Sequence, residues 1–108
     1  MAIRSFGKVT VTTAGTPVRC TLNESTPSAR MAVQSLTVFA LAGNTGTNIY
    51  VGSSAMNKTT LAGVYAIVPK GANGGITINL APAGIMANEV YLDADTSADA
   101  ALVSATEQ

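Results

Sequence analysis

Asp93, Asp95 and Asp99 place three carboxylates in one short segment, Asp-x-Asp-x-x-x-Asp. Hard carboxylate oxygens converging in a loop can hold calcium. The EF-hand version of that chemistry needs a Gly at the sixth position and a Glu at the twelfth. Counted from Asp93, those positions hold Ala98 and Ser104, so that motif is absent. The competing reading is a solvated turn whose Asp side chains cap backbone N–H groups. Glu89 and Asp93 could form the acid and base of glycoside hydrolysis, but the chain has five aromatic residues and no Trp with which to build a sugar platform.

Nucleophilic chemistry is poorly supplied. Gly52-Ser53-Ser54 offers hydroxyls, but the chain has no His, so only Lys58 or Lys70 could serve as the base. The same lack of His removes Ser-His-Asp and Cys-His arrangements, an ordinary catalytic zinc site and an imidazole switch. Gly7-Lys8 resembles the end of a phosphate loop, yet the upstream Gly of that motif is replaced by Ala2. Cys20 is the single cysteine, so it has no intrachain partner. It alternates with Val18 and Leu22 and reads as a small buried apolar residue. The expectation is therefore no catalytic residue, no cofactor and no enzyme.

The elements that would carry these residues are short. In 108 residues, alternating apolar and polar runs are broken by Gly, Asn, Pro and Ser-Thr clusters, which marks an all-β chain. Eight strands are expected, at about residues 8–13, 18–22, 31–41, 48–52, 64–68, 76–80, 89–93 and 100–106. Ala14-Gly15-Thr16-Pro17 is short enough to close a hairpin between the first two strands, and Asn73-Gly74 is a hairpin signal between the fifth and sixth. Residues 81–87 read as a loop, because Pro82 and Gly84 interrupt them. The third strand is apolar on both faces, as a strand is when covered on both sides or when its outer face meets a partner. The resulting expectation is a single antiparallel β-sandwich spanning residues 8–108, jelly-roll-like, with an Ig-like sandwich as runner-up. Residues 1–7 read as an N-terminal arm or a loose terminus. One internal echo stands out: Asn48-Ile49-Tyr50-Val51 and Glu89-Val90-Tyr91-Leu92 share an apolar-Tyr-apolar core.

Charge is sparse and unevenly placed. Charged residues make up 11% of the chain and the net charge is zero, against roughly 25% in ordinary soluble domains. Bulk electrostatic attraction to nucleic acid or anionic lipid is therefore not expected. Residues 1–30 carry Arg4, Lys8, Arg19 and Arg30 against Glu24, whereas residues 89–108 carry Glu89, Asp93, Asp95, Asp99 and Glu107 with no cation. Either the first and last strands lie side by side, or opposite ends face different partners. The run from Thr37 to Val51 holds no charge at all, so no edge Lys deters association there. Obligate interfaces are depleted in charge in this way. Residues 1–8 lack the apolar stretch of a signal peptide, and no apolar run is long enough to span a membrane. A chain made in a reducing cytoplasm is expected.

Two segments resemble a known class. Residues 33–52, with Val38-Phe39-Ala40-Leu41, Asn44-Thr45-Gly46 and Tyr50-Val51-Gly52, and residues 88–96, with Val90-Tyr91-Leu92-Asp93-Ala94-Asp95, resemble small virion proteins of tailed bacteriophages. The order of the pieces, covering residues 33–96, carries the resemblance. A Gly commonly follows the Asp-Thr of that pattern, and here Ser97 stands instead. The resemblance implies a β-sandwich subunit of the capsid decoration, or cement, type. Such a subunit sits on the capsid exterior as a homodimer or homotrimer and clamps neighbouring major capsid proteins, and it is made in the host cytoplasm. A tail or tail-fibre binding module for a receptor or carbohydrate is the alternative. Arg4, Phe6, Arg30, Tyr50 and Tyr91 are the expected interface anchors, being of the arginine and aromatic types that dominate such contacts.

Overall fold

The computed structural model describes residues 3–20, 32–71, 75–79, 85–86 and 89–107. The described residues form nine strands: β1 (Ile3–Thr10), β2 (Val18–Arg19), β3 (Ala32–Ala40), β4 (Asn48–Gly52), β5 (Val64–Pro69), β6 (Ile76–Asn79), β7 (Ile85–Met86), β8 (Tyr91–Ala94) and β9 (Ala100–Glu107). All pairings are antiparallel. One sheet runs β1-β9-β3-β6, with β7 also on β3; the other runs β2-β8-β4-β5.

Chain order and sheet order together define the architecture. β1 pairs with β9, β2 with β8, β3 with β6 and β4 with β5. Setting aside the two-residue β7, the first strand pairs with the last, the second with the last but one, and so inward. That is one long hairpin rolled up so that successive strand pairs alternate between two sheets, which is the jelly roll. The Ig-like alternative does not have this pairing.

The core forms where the sheets face each other. Val9, Leu36, Val38, Ala101 and Val103 of the first sheet meet Ile49, Val51, Val68, Leu92 and Ala94 of the second. Period-two alternation brings them to one side: in β9, Ala101, Val103 and Ala105 are buried while Leu102 points out. Small side chains suit the narrow gap between two sheets about 10 Å apart.

Several expectations are corrected. Ile3–Gly7 are not an arm: they lie in β1, paired with β9 from Ile3↔Thr106 onward. Phe6 is 2% exposed within the core. A bulge between Ser5 and Gly7, with Gly7 at φ 74, shifts the strand by one residue. Phe6 and Val9 thus both face inward although three positions apart, which hides the strand from a strict two-residue period. Residues 14–17 do not close a hairpin, because β1 and β2 belong to different sheets; the same holds for β5 and β6. Asn73-Gly74 itself lies outside the described residues. Ile85–Met86, expected as loop, form a bridge to Val33 and Ala32. The Tyr-centred echo has a spatial counterpart, since β4 and β8 are neighbours with Tyr50 opposite Asp93 and Gly52 opposite Tyr91.

Candidate functional site

The three aspartates lie at one end of the sandwich, where β8 leaves one sheet and β9 enters the other. Each ties down a different piece of chain. Asp99 is buried; its Oδ1 accepts the N–H of Thr45 at 2.8 Å and its Oδ2 that of Gly46 at 2.7 Å. Two successive backbone N–H groups aimed at one carboxylate form a small anion nest. Asp95 Oδ1 accepts the Tyr50 hydroxyl at 2.8 Å, and its Oδ2 accepts the N–H of Asn48 at 3.1 Å. Asp93 is 1% exposed, and its Oδ1 accepts the N–H groups of Gly15 at 2.9 Å and Ala94 at 2.8 Å.

Neighbouring side chains extend the same stitching. Asn44 donates from Nδ2 to the Ala100 carbonyl and accepts the Ala100 N–H at Oδ1, both at 2.9 Å, imitating a strand partner. Lys58 Nζ donates to the Ala94 carbonyl at 2.7 Å and Lys70 Nζ to the Asn44 carbonyl at 2.9 Å. Val11 and Asp99 continue the β1 ladder through Val11 N–H to Asp99 O and Ala98 N–H to Val11 O, both 2.8 Å. Gly46 has no substitute here: a Cβ would lie 2.8 Å from both Asp99 Oδ2 and Thr96 Oγ1.

The carboxylates are engaged by N–H and O–H donors on separate segments. Among the described residues, no three His, Cys, Asp or Glu side chains are grouped to hold a metal ion. Burial pushes the Tyr50 phenol above its usual pKa, and the hydrogen bond to Asp95 adds to the shift. Asp93 is buried while Glu89 is exposed, so the two do not present an acid–base pair to one open cleft. Lys58 and Lys70 each donate to a backbone carbonyl, of Ala94 and Asn44 respectively. Burial drives the Cys20 thiol up to about 12, which leaves it protonated and inert at neutral pH.

The expected interface anchors fare unevenly. Phe6 is in the core, and Tyr50 is buried with its hydroxyl on Asp95. Neither is available to a partner, because each is already consumed by the fold of its own subunit. Arg4 lies in β1 opposite Ala105. Tyr91 is half-buried in β8, opposite Arg19 and Gly52. Arg30 lies outside the described residues.

Among the described residues, the exposed large hydrophobic side chains are others: Leu61 (47% exposed), Tyr65 (50%) and Leu102 (41%). Leu61 ends a tightly bonded loop and adopts φ 65, a left-handed backbone that Leu rarely takes. Tyr65 is the extra residue of a bulge, since Gly52 pairs with Val64 and Val51 with Ala66. Tyr65 was visible in the sequence as one of three Tyr; the bulge that turns it outward was not. Two shallow open depressions, of about 270 and 240 Å³, are lined mainly by polar residues such as Asn44, Thr45 and Ser97 in one and Asn57, Lys58 and Thr59 in the other. Neither is the enclosed apolar pocket typical of a small-molecule site. Comparison with protein-family models, with curated proteins and with solved structures finds no match to this chain.

Proposed function

We propose that this chain is a non-enzymatic structural subunit that decorates a phage capsid and stabilises it by bridging neighbouring capsid proteins. One observation carries the reading. The polar groups gathered at the end of the jelly roll are spent on its own backbone, whereas the chain's exterior offers a sheet face with little charge and isolated apolar side chains, Leu61, Tyr65 and Leu102. A molecule built this way is rigid and chemically quiet, and its free surface is suited to contact. The order of motifs over residues 33–96, similar to that of small tailed-phage virion proteins, supplies the partner. A subunit that binds the assembled lattice and not its loose parts stabilises the lattice by mass action, and repetition over the shell multiplies modest contacts.

The test is co-sedimentation of the purified chain with empty shells assembled from the major capsid protein encoded in the same genome. Saturable binding, with a raised shell-disruption temperature, is expected. Failure to bind at saturating concentration overturns the reading. Tyr65, half exposed on β5, favours the second reading, a tail-associated binding module, because a lone outward aromatic can stack on a sugar. Loss of glycan-array binding in Tyr65→Ala would establish that alternative.

A further inference from the structure

The two outer faces of the sandwich differ. The outer face of β2-β8-β4-β5 is roofed by the chain itself. Tyr50 and Asp93 alternate with core residues, so they point away from the core, yet both are buried. Segment 53–63 supplies the roof, with Met56 buried and Lys58 reaching the Ala94 carbonyl; Gly15 closes over Asp93. The outer face of β1-β9-β3-β6 has no such cover among the described residues. Leu102 is 41% exposed at its centre, and Thr77 is exposed on β6.

That open face is prepared for burial. Ser35 donates to Thr106 at 3.1 Å, and Thr37 and Thr77 share a hydrogen bond of 3.0 Å. Cross-strand pairing satisfies these hydroxyls within the subunit, so covering them strands fewer polar groups. Phe39 and Leu102, paired across β3 and β9, are the large apolar side chains of this face; small polar residues surround them, Ser104 on β9, Ser5 on β1 and Asn79 on β6. Lys8 is the one charged side chain among those described on this face, and it lies on β1, at the margin.

We propose that a second copy of this chain covers this face, packed sheet against sheet about a two-fold axis running along the strands between β9 and β3. The proposal rests on the assembly reading above and names one of its contacts. Strand order makes the face self-complementary. Such an axis lays β1 over β6 and β9 over β3, so Leu102 meets the partner's Phe39, and the reverse contact follows by symmetry. The two Lys8 side chains then fall at opposite margins and do not oppose one another. Strands about 4.8 Å apart and about 3.3 Å per residue give a face of about 19 by 26 Å, hence about 1,000 Å² for the pair. That lies below the roughly 1,200–2,000 Å² of stable specific interfaces and among weak, transient ones, so the expected dimer is a weak one, of about micromolar strength.

Sedimentation velocity of the full chain from about 1 to about 100 µM reads the equilibrium directly. A monomer–dimer transition is expected in that range. Leu102→Glu weakens it at least about tenfold with an unchanged urea midpoint, because Leu102 is outside the core. Tyr65→Glu, on the other sheet, leaves it unchanged. A monomer throughout, a trimer, or a dimer that Leu102→Glu spares or Tyr65→Glu breaks overturns the proposal. Shell binding is scored separately: a dimer that ignores shells refutes the capsid reading alone, and a shell-binding monomer refutes this contact alone.

Discussion

Replacing Asp99 by Asn removes a charge from a buried position without changing its shape. In the wild type both oxygens accept, from Thr45 at 2.8 Å and Gly46 at 2.7 Å. Hydrogen bonds to a charged group are worth about 1.5–3 kcal/mol each. The Asn retains one neutral acceptor, worth about 1 kcal/mol, and turns an NH2 against the other backbone N–H. Thr45 is exposed and can recruit water, whereas Gly46 is half-buried and cannot do so freely. The expected loss is about 2–4 kcal/mol, a large share of the 5–15 kcal/mol that holds a domain together. Urea unfolding followed by intrinsic Tyr fluorescence reads this as a drop in midpoint of roughly 1–3 M at constant slope. Asp95→Asn, at an exposed carboxylate, costs about 1 kcal/mol or less. A loss below about 1 kcal/mol for Asp99→Asn, or equal losses at the two sites, would refute the claim that Asp99 staples residues 45–46 to the end of the sandwich.

Three further outcomes are expected. Gly52→Ala costs about 3 kcal/mol or more, because its Cβ would lie 2.2 Å from the Gly63 carbonyl and 3.0 Å from Met56 Sδ; thermal unfolding checks this. Cys20 has a folded-state pKa raised from 9.0 to about 12 by burial. Its stabilisation is therefore whole below pH 9 and is lost as pH rises toward 12, the loss amounting to about 4 kcal/mol at the top of that window; stability curves of Cys20→Ala should be correspondingly flatter there. Leu61→Gly relieves the left-handed strain at φ 65 and raises stability by up to about 1 kcal/mol, whereas Leu61→Val lowers it by about 1 kcal/mol; paired urea titrations distinguish the two.

Much of the architecture was readable from alternation, and the exceptions have local causes. Strands β4, β5, β6, β8 and β9 follow runs in which every second residue is apolar, so their positions were legible. β1 was seen only from Lys8 onward because the bulge at Phe6 and Gly7 breaks the two-residue period. The expected hairpins failed for a different reason. Turn chemistry such as Gly15-Thr16-Pro17 is a local signal, whereas the sheet a strand joins is set by distant partners: β1 is completed by β9 and β2 by β8. The aspartate segment was legible as either a cation loop or a set of caps. Only the folded chain brings Gly15, Thr45, Gly46 and Tyr50 to the three carboxylates. Tyr50 and Phe6 looked like interface anchors because aromatic type is visible in sequence and the side of a sheet is not. Leu102 and Phe39, now central to the proposed self-contact, were ordinary members of apolar runs until their common outward face was known.

The measurement that bears most directly on the proposed assembly role is the stoichiometry of this chain on capsid shells built from the major capsid protein of the same genome. A fixed, lattice-matched number of copies per shell, saturating with concentration and lost on shell disassembly, is expected. Substoichiometric or non-saturating association, or binding to free capsid protein as tight as to the shell, would contradict it.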